Sequence, residues 1–181
     1  SADLLNEEEL ELLSQMRPGL VQLEIGVQST NPDTVKAIRR TMQFDKLAYA
    51  VNRVKSMGNI HQHLDLIAGL PYEDYESFHK SYDDVYSLLP EQLQLGFLKV
   101  LKGSYMYEKA ADYGVAYRNV APYEVLETNW ISFDDILELK RVEEVLEIYY
   151  NSGQFEYSVR YLEKYFDSPY RLYEALGNYY K

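Results

Sequence analysis

The 181 residues carry 18 Lys and Arg against 29 Asp and Glu, a net charge of -11. That balance disfavours a long phosphate backbone as partner, because such binding is driven by basic surface. With 46% hydrophobic residues the chain can bury a real core, and without cysteine it can form neither a disulfide nor a thiolate metal site. No apolar run of about 18 residues and no signal-peptide pattern is present, which makes the cytoplasm the simplest location.

Asn6, with Glu9 three residues on, predicts a capped helix that ends before Arg17-Pro18-Gly19. A chain that opens at Ser1 directly before a helix lacks the strand on which a (β/α) unit begins, and looks cut. Residues 21–29 alternate Val21, Leu23, Ile25 and Val27 with Gln22, Glu24, Gly26 and Gln28, the signature of a two-faced strand. Asn31-Pro32-Asp33 then starts a short helix to about Arg40, and a second helix runs from Asp45 to Met57 with Gly58 as its stop. Residues 61–71 form the next strand, with Leu64, Leu66 and Ala68 opposite His61, His63 and Asp65.

Glu73-Asp74-Tyr75-Glu76 opens an amphipathic helix through Phe78, Tyr82, Val85 and Leu89, ended by Pro90. A third strand over residues 92–100 sets Gln92, Gln94 and Gly96 against Leu93, Leu95 and Phe97, and a helix from about Ser104 to Tyr113 follows. A polar inner face backed by an apolar outer one, repeated three times with helical crossovers, fits an α/β fold: a partial (β/α) TIM-like barrel of about three parallel strands whose lumen takes a polar small-molecule ligand.

Residues 1–118 are read as this half-barrel and 119–181 as a helical C-terminal domain. The second region holds ten of the 19 tyrosines, which is why it reads as a separate unit. It contains an extended piece over residues 123–131 and helices over 133–150, 154–166 and from Ser168-Pro169 to Tyr180. The stripe of Tyr157, Tyr161 and Tyr165 is expected to pack in a core or an interface.

His61, His63 and Asp65 on one strand face resemble a metal site, but only His79 remains to complete it, and hydrogen-bonded imidazoles in a polar lumen are the preferred reading. Glu24, Gln28 and Asp65, with Arg40 one helix away, suit a ligand carrying hydroxyls, an amine and a carboxylate. A metal-dependent hydrolase using His61 and His63, and a non-catalytic module that docks a partner through its tyrosine-rich helices, are the rival readings. An exposed half-barrel edge would also support a dimer.

The segment from Glu24 to Ser29, followed by Arg40 and then by residues 65–73 with Asp65 leading Gly69-Leu70-Pro71, resembles the second half of a radical S-adenosylmethionine barrel. The likeness is to the group containing the anaerobic coproporphyrinogen oxidases and the cobalamin-dependent oxidative cyclases, over roughly residues 1 to 115. It implies that Gln28 and Asp65 contact the ribose and amino-acid part of S-adenosylmethionine, that Arg40 holds its carboxylate and that Ile67 packs on adenine beside the backbone of residues 98–100. Glu24 and Ser29 join them as cofactor-binding candidates, and Glu73 supports the cofactor loop. It also implies a [4Fe-4S] cluster, whose cysteines would lie upstream of this chain, and cobalamin in a separate upstream domain. The whole protein would cleave S-adenosylmethionine reductively to a 5'-deoxyadenosyl radical; the segment alone, with no catalytic residue and no metal ligand of its own, would be inactive.

Overall fold

The computed structural model describes residues 2–180. Three parallel strands, β1 (Gln22–Gln28), β2 (His61–Ala68) and β3 (Gln92–Phe97), form one sheet in the order β1-β2-β3. Helices α1 (Glu7–Ser14), α2 (Pro32–Ala37), α3 (Phe44–Met57) and α4 (Tyr75–Tyr86) surround it, and α3 and α4 pack against β2. The α/β half-barrel read from the sequence is therefore the fold observed.

Local chemistry sets the boundaries. Asn6 and Glu9 exchange reciprocal hydrogen bonds of 2.9 Å at the start of α1. Asn31 accepts from the Asp33 amide and places Pro32 in the first turn of α2, where a missing N–H costs nothing. Gly58 takes φ +69 to end α3, and Asp74 accepts from the Ser77 amide to begin α4. Ile25, Val27, Leu64, Leu66, Ala68, Leu93 and Leu95 line the outer face, all buried against Leu47, Val51, Phe78 and Val85 of the helices. Each fully buried Leu contributes roughly 1.5–3 kcal/mol by leaving water.

The C-terminal region shares that core. A two-stranded antiparallel pair, β4 (Ala116–Tyr117) and β5 (Val125–Glu127), leads into α6 (Phe133–Leu146), a π turn over Glu147–Asn151, α7 (Glu156–Leu162) and α8 (Pro169–Tyr179). The segment before β5 runs antiparallel to the continuation of β3: the Val125 amide donates to Leu98 O and the Val100 amide to Tyr123 O, each at 2.9 Å. Val125 sits so close to Gly69 that a Cβ there would lie 2.7 Å from Val125 Cγ1, and Gly69 also takes φ +83. Glycine is thus required where the two regions meet.

The tyrosines divide differently from the expectation. Tyr82, Tyr86, Tyr170 and Tyr173 are buried between α4 and α8, with Tyr86 Oη and Tyr173 Oη 3.2 Å apart and Tyr86 also donating to Glu163. Tyr157, Tyr161 and Tyr165 are instead 87%, 58% and 68% exposed, so they are not core. The reason is length: α7 spans Glu156–Leu162, and it buries Val159 while the tyrosine stripe faces out. Three further boundaries shift. The third strand ends at Phe97, α5 (Tyr105–Lys109) covers only the start of its expected helix, and α4 stops at Tyr86, leaving Leu89 41% exposed at φ +48. Among the described residues no helix is long and apolar enough to cross a membrane.

Candidate functional site

The parallel register stacks the inner face of the sheet in tiers. Glu24 lies level with His63 and Gln92, Gly26 with Asp65 and Gln94, and Ile67 with Gly96. A bulge between Gly26 and Gln28 breaks the register at the carboxyl end of β1 and turns Gln28 to φ +73, a left-handed conformation that glutamine rarely adopts. Around this end lies a cleft of about 320 Å³ lined by Gln28, Asp65, Ile67, Gln94, Gly96 and Leu98, together with their neighbours Leu66, Phe97 and Lys99.

Gly26 opens space for two further groups. A Cβ at this position would lie 2.4 Å from Gln28 Nε2 and 3.6 Å from Arg40 Nη1, so the amide and the guanidinium both fold in over the glycine. Asp65 and Glu24 share this inner face one tier apart. Burial first, and then repulsion from Glu24, raises the Asp65 carboxyl above its ordinary value, while His63 opposes the shift. The result is a polar floor of carboxylate and amide, one arginine at its side, and Ile67 and Leu98 as its apolar wall. Such a set takes hydroxyl and amino groups by hydrogen bonding, a carboxylate by the arginine, and a flat apolar ring against the aliphatic side chains.

Gln28, Asp65 and Ile67 therefore line one cleft, with Arg40 at its edge and Glu24 two tiers below Gln28. Ser29 is placed elsewhere. It is fully buried and donates to Glu73 Oε1 at 2.6 Å, while Ser81 donates to the same oxygen at 2.8 Å. Burial pushes the Glu73 carboxyl up to about 7 despite these two hydroxyls. Around this centre the Asn31 amide donates to Ser29 Oγ, Asn31 Nδ2 to Tyr72 O and Thr34 Oγ1 to Pro71 O. Ser29 thus bolts the end of β1 to the Gly-Leu-Pro turn after β2 and does not face the cleft.

His61 and His63 also separate. His63 Nδ1 meets Gln22 Nε2 at 3.2 Å, whereas His61 borders a second cavity of about 480 Å³ at the amino ends of β2 and β3. His79 lies within α4, 3.0 Å from Asp83 and 2.9 Å from Ser168 Oγ. Among the described residues no group of three His, Asp or Glu side chains is arranged to hold a metal ion.

Sequence reasoning noted Gln94 and Gly96 only as part of a polar line, although strand alternation places both in the cleft. It missed an aromatic group that begins just after the Gly-Leu-Pro turn, where the Tyr72 ring centroid is 4.5 Å from Trp130 and 6.0 Å from Tyr113. Tyr72 and Trp130 are 58 residues apart and nothing local links them. Tyr72 is a second strained residue, at φ +64.

Residues 1–85 match the radical SAM superfamily, and residues 111–181 match a family described as a protein of unknown function, DUF4080. The chain is 33% identical over 118 residues, 64% of its length, to an oxygen-independent coproporphyrinogen-III oxidase-like protein of Bacillus subtilis. It is 30% identical over 77 residues, 42% of its length, to an oxygen-independent coproporphyrinogen III oxidase of Paracoccus denitrificans. It spans 23% and 17% of the length of these two relatives. A solved structure of coproporphyrinogen III oxidase from Escherichia coli, a radical SAM enzyme, shares the fold with a TM-score of 0.51 at 23% identity, over 75% of this chain and 29% of that one.

Proposed function

We propose that the chain, whose first 85 residues match the radical SAM superfamily, holds S-adenosylmethionine for an oxidoreductase reaction in the cleft at the carboxyl ends of its strands. The observation that carries this reading is the convergence of Gln28, Asp65, Ile67 and Leu98 on one cleft, with Arg40 folded over Gly26 at its edge. Asp65 and Gln28 hold the ribose and amino-acid part, Arg40 grips the carboxylate, and Ile67 with the backbone of residues 98–100 receives the adenine. Glu24 sits below and acts on the ligand through Asp65, as a like charge that tunes its carboxyl.

When reduced at an iron–sulfur cluster, S-adenosylmethionine supplies a 5'-deoxyadenosyl radical. The donor set of this chain does not fit such a cluster, because it contains no cysteine. The cluster is accordingly assigned to residues outside these 181, and the part played here is to bind and orient. The division at residue 118 gives this role to the half-barrel and leaves 119–181 as the covering domain. Cobalamin use and an oxidative-cyclase reaction rest on the resemblance of residues 1 to 115 to a group that includes the cobalamin-dependent oxidative cyclases; corrinoid absorbance of the purified protein tests them directly.

The test is S-adenosylmethionine binding by the complete, anaerobically prepared protein, measured beside its iron content. Gln28→Ala, Arg40→Ala and Asp65→Ala are each expected to weaken binding by about tenfold or more, since a charge-assisted hydrogen bond is worth about 1.5–3 kcal/mol, with iron unchanged. Unaltered affinity in all three variants would overturn the assignment.

A further inference from the structure

Another cleft, of about 650 Å³, is lined by Thr30, Lys36, Arg39, Arg40, Thr41 and Phe44, among others, and Arg40 also reaches over Gly26 beside Gln28 of the first cleft. Three of these are cations, in a chain where acids outnumber bases 29 to 18. Among the described residues Lys36, Arg39 and Arg40 form no ion pair, a state they share with other surface cations of the chain; what sets them apart is that the three line one cleft. The acids nearest in the chain are Asp33 and Asp45, which open α2 and α3 instead.

The backbone at Arg39 is the second observation. Helix α2 ends in a Schellman motif: the Arg39 amide donates to Lys36 O and the Arg40 amide to Val35 O, each at 3.0 Å. The motif requires a left-handed residue at the position Arg39 occupies, at φ +57, and glycine is the residue that meets this requirement without strain. Arginine is tolerated there at a cost in stability, and the structure holds its guanidinium carbon 3.7 Å above the Tyr105 ring, pre-positioned on the rim. Helix α3, which starts on the same cleft, has no cap from its own N-cap side chain, and the Asp3 carboxylate accepts from the Gln43 amide there at 3.4 Å.

We propose that Lys36 and Arg39, with Arg40 shared between the two clefts, bind an anionic group, carboxylate or phosphate, of the molecule on which the cofactor cleft acts. That an anion binds stands on the geometry just given; that it belongs to the substrate rests on the reading of the neighbouring cleft. Arg39 is on this account a specificity-determining residue, retained against the preference of its own backbone.

The opposition between backbone and side chain supplies the test. Pyrophosphate and succinate are titrated calorimetrically into the complete protein and into its Arg39→Gly and Lys36→Gln variants. The parent is expected to bind at least one probe, pyrophosphate alone indicating a phosphate ligand and succinate a carboxylate one. Both variants are expected to weaken that binding by tenfold or more, while Arg39→Gly leaves Tm unchanged or raises it by up to about 4 °C, because glycine relieves the left-handed strain. A residue kept for structure alone would lower Tm. Failure of the parent to bind either probe, or Arg39→Gly binding as the parent does, overturns the proposal. S-adenosylmethionine affinity is measured on the same samples: retained in Arg39→Gly it supports two separate sites, and absent from a parent that binds the anion it removes the cofactor reading and leaves the anion site standing.

Discussion

Strand β2 presents two regions that share a backbone and differ in almost everything else. On its outer side Leu64, Leu66 and Ala68 are fully buried, and Gln62 is buried with its Nε2 on Val51 O. On its inner side His61 is exposed and His63, Asp65 and Ile67 are only partly covered. The outer side is packed against the helices, with Gln62 Oε1 alone there left without a hydrogen-bond partner, and the inner side leaves imidazole, carboxylate and apolar surface available at once. A one-residue alternation therefore separates the part of the sequence that holds the fold from the part that can meet a ligand.

The largest effect is expected on the outer side. Leu66→Ala should cost about 2–5 kcal/mol in urea unfolding, from lost burial and the cavity left between sheet and helices; a loss below about 1 kcal/mol would break the contrast. Next comes Glu73, beneath the rim. Its folded value of about 7 lies above its ordinary 4.5, so the native state keeps a proton that the unfolded chain releases. Stability is then complete below about pH 4.5 and falls as the pH rises through 7, by about 3 kcal/mol in all, and Glu73→Gln should flatten that slope in unfolding measured from pH 4 to 8.

On the inner side, Asp65→Asn should leave Tm at pH 7 unchanged or slightly raised. The raised Asp65 carboxyl means that its charged form is disfavoured in the fold, a penalty that builds as the pH climbs from the ordinary value to the folded one, is complete above it, and is absent from asparagine. S-adenosylmethionine affinity should nevertheless fall about tenfold in the same variant, and a large loss of stability would merge the two sides. The smallest effect belongs to Tyr161→Ala, expected within about 0.5 kcal/mol of the parent because its ring is 58% exposed.

Much of this was legible in the chain itself. The alternation in residues 21–29, 61–71 and 92–100, the caps at Asn6 and Asn31 and the stop at Gly58 are local signals, and each became the element it implies. The grouping of Gln28 with Asp65 and Ile67 follows from alternation plus parallel order, so it too could be read. So could the position of Ser29: strict alternation puts it on the face of Ile25 and Val27, opposite Gln28, and there it is buried, while its candidacy as a cofactor contact came from the resemblance alone. Of the two places expected for the Tyr157, Tyr161 and Tyr165 stripe, core or interface, the core is excluded by exposure. Helical spacing identifies a stripe but not which side of a short helix meets the core, and here Val159 on α7 and Tyr170 and Tyr173 on α8 took the buried positions. The cations of the anion cleft, Lys36, Arg39 and Arg40, lie within five residues of one another and were legible as a cluster; that they line a cleft is a property of tertiary placement.

The π turn at Glu147–Asn151 has a consequence for how the sheet can associate. It lowers Asn151 onto the outer edge of β3, where its Oδ1 accepts from the Leu93 amide and its Nδ2 donates to Leu93 O, both at 3.0 Å. One carboxamide thereby imitates a neighbouring strand for one residue, whereas residues 123–125 pair with residues 98–100 on the opposite edge, where the Leu98 amide donates to Ala68 O and its carbonyl accepts from Val125. Asn151 thus blocks strand addition at Leu93 on the β3 side, while β1 keeps an unpaired edge among the described residues. Growth of this sheet, whether by another segment or another molecule, has one direction open to it.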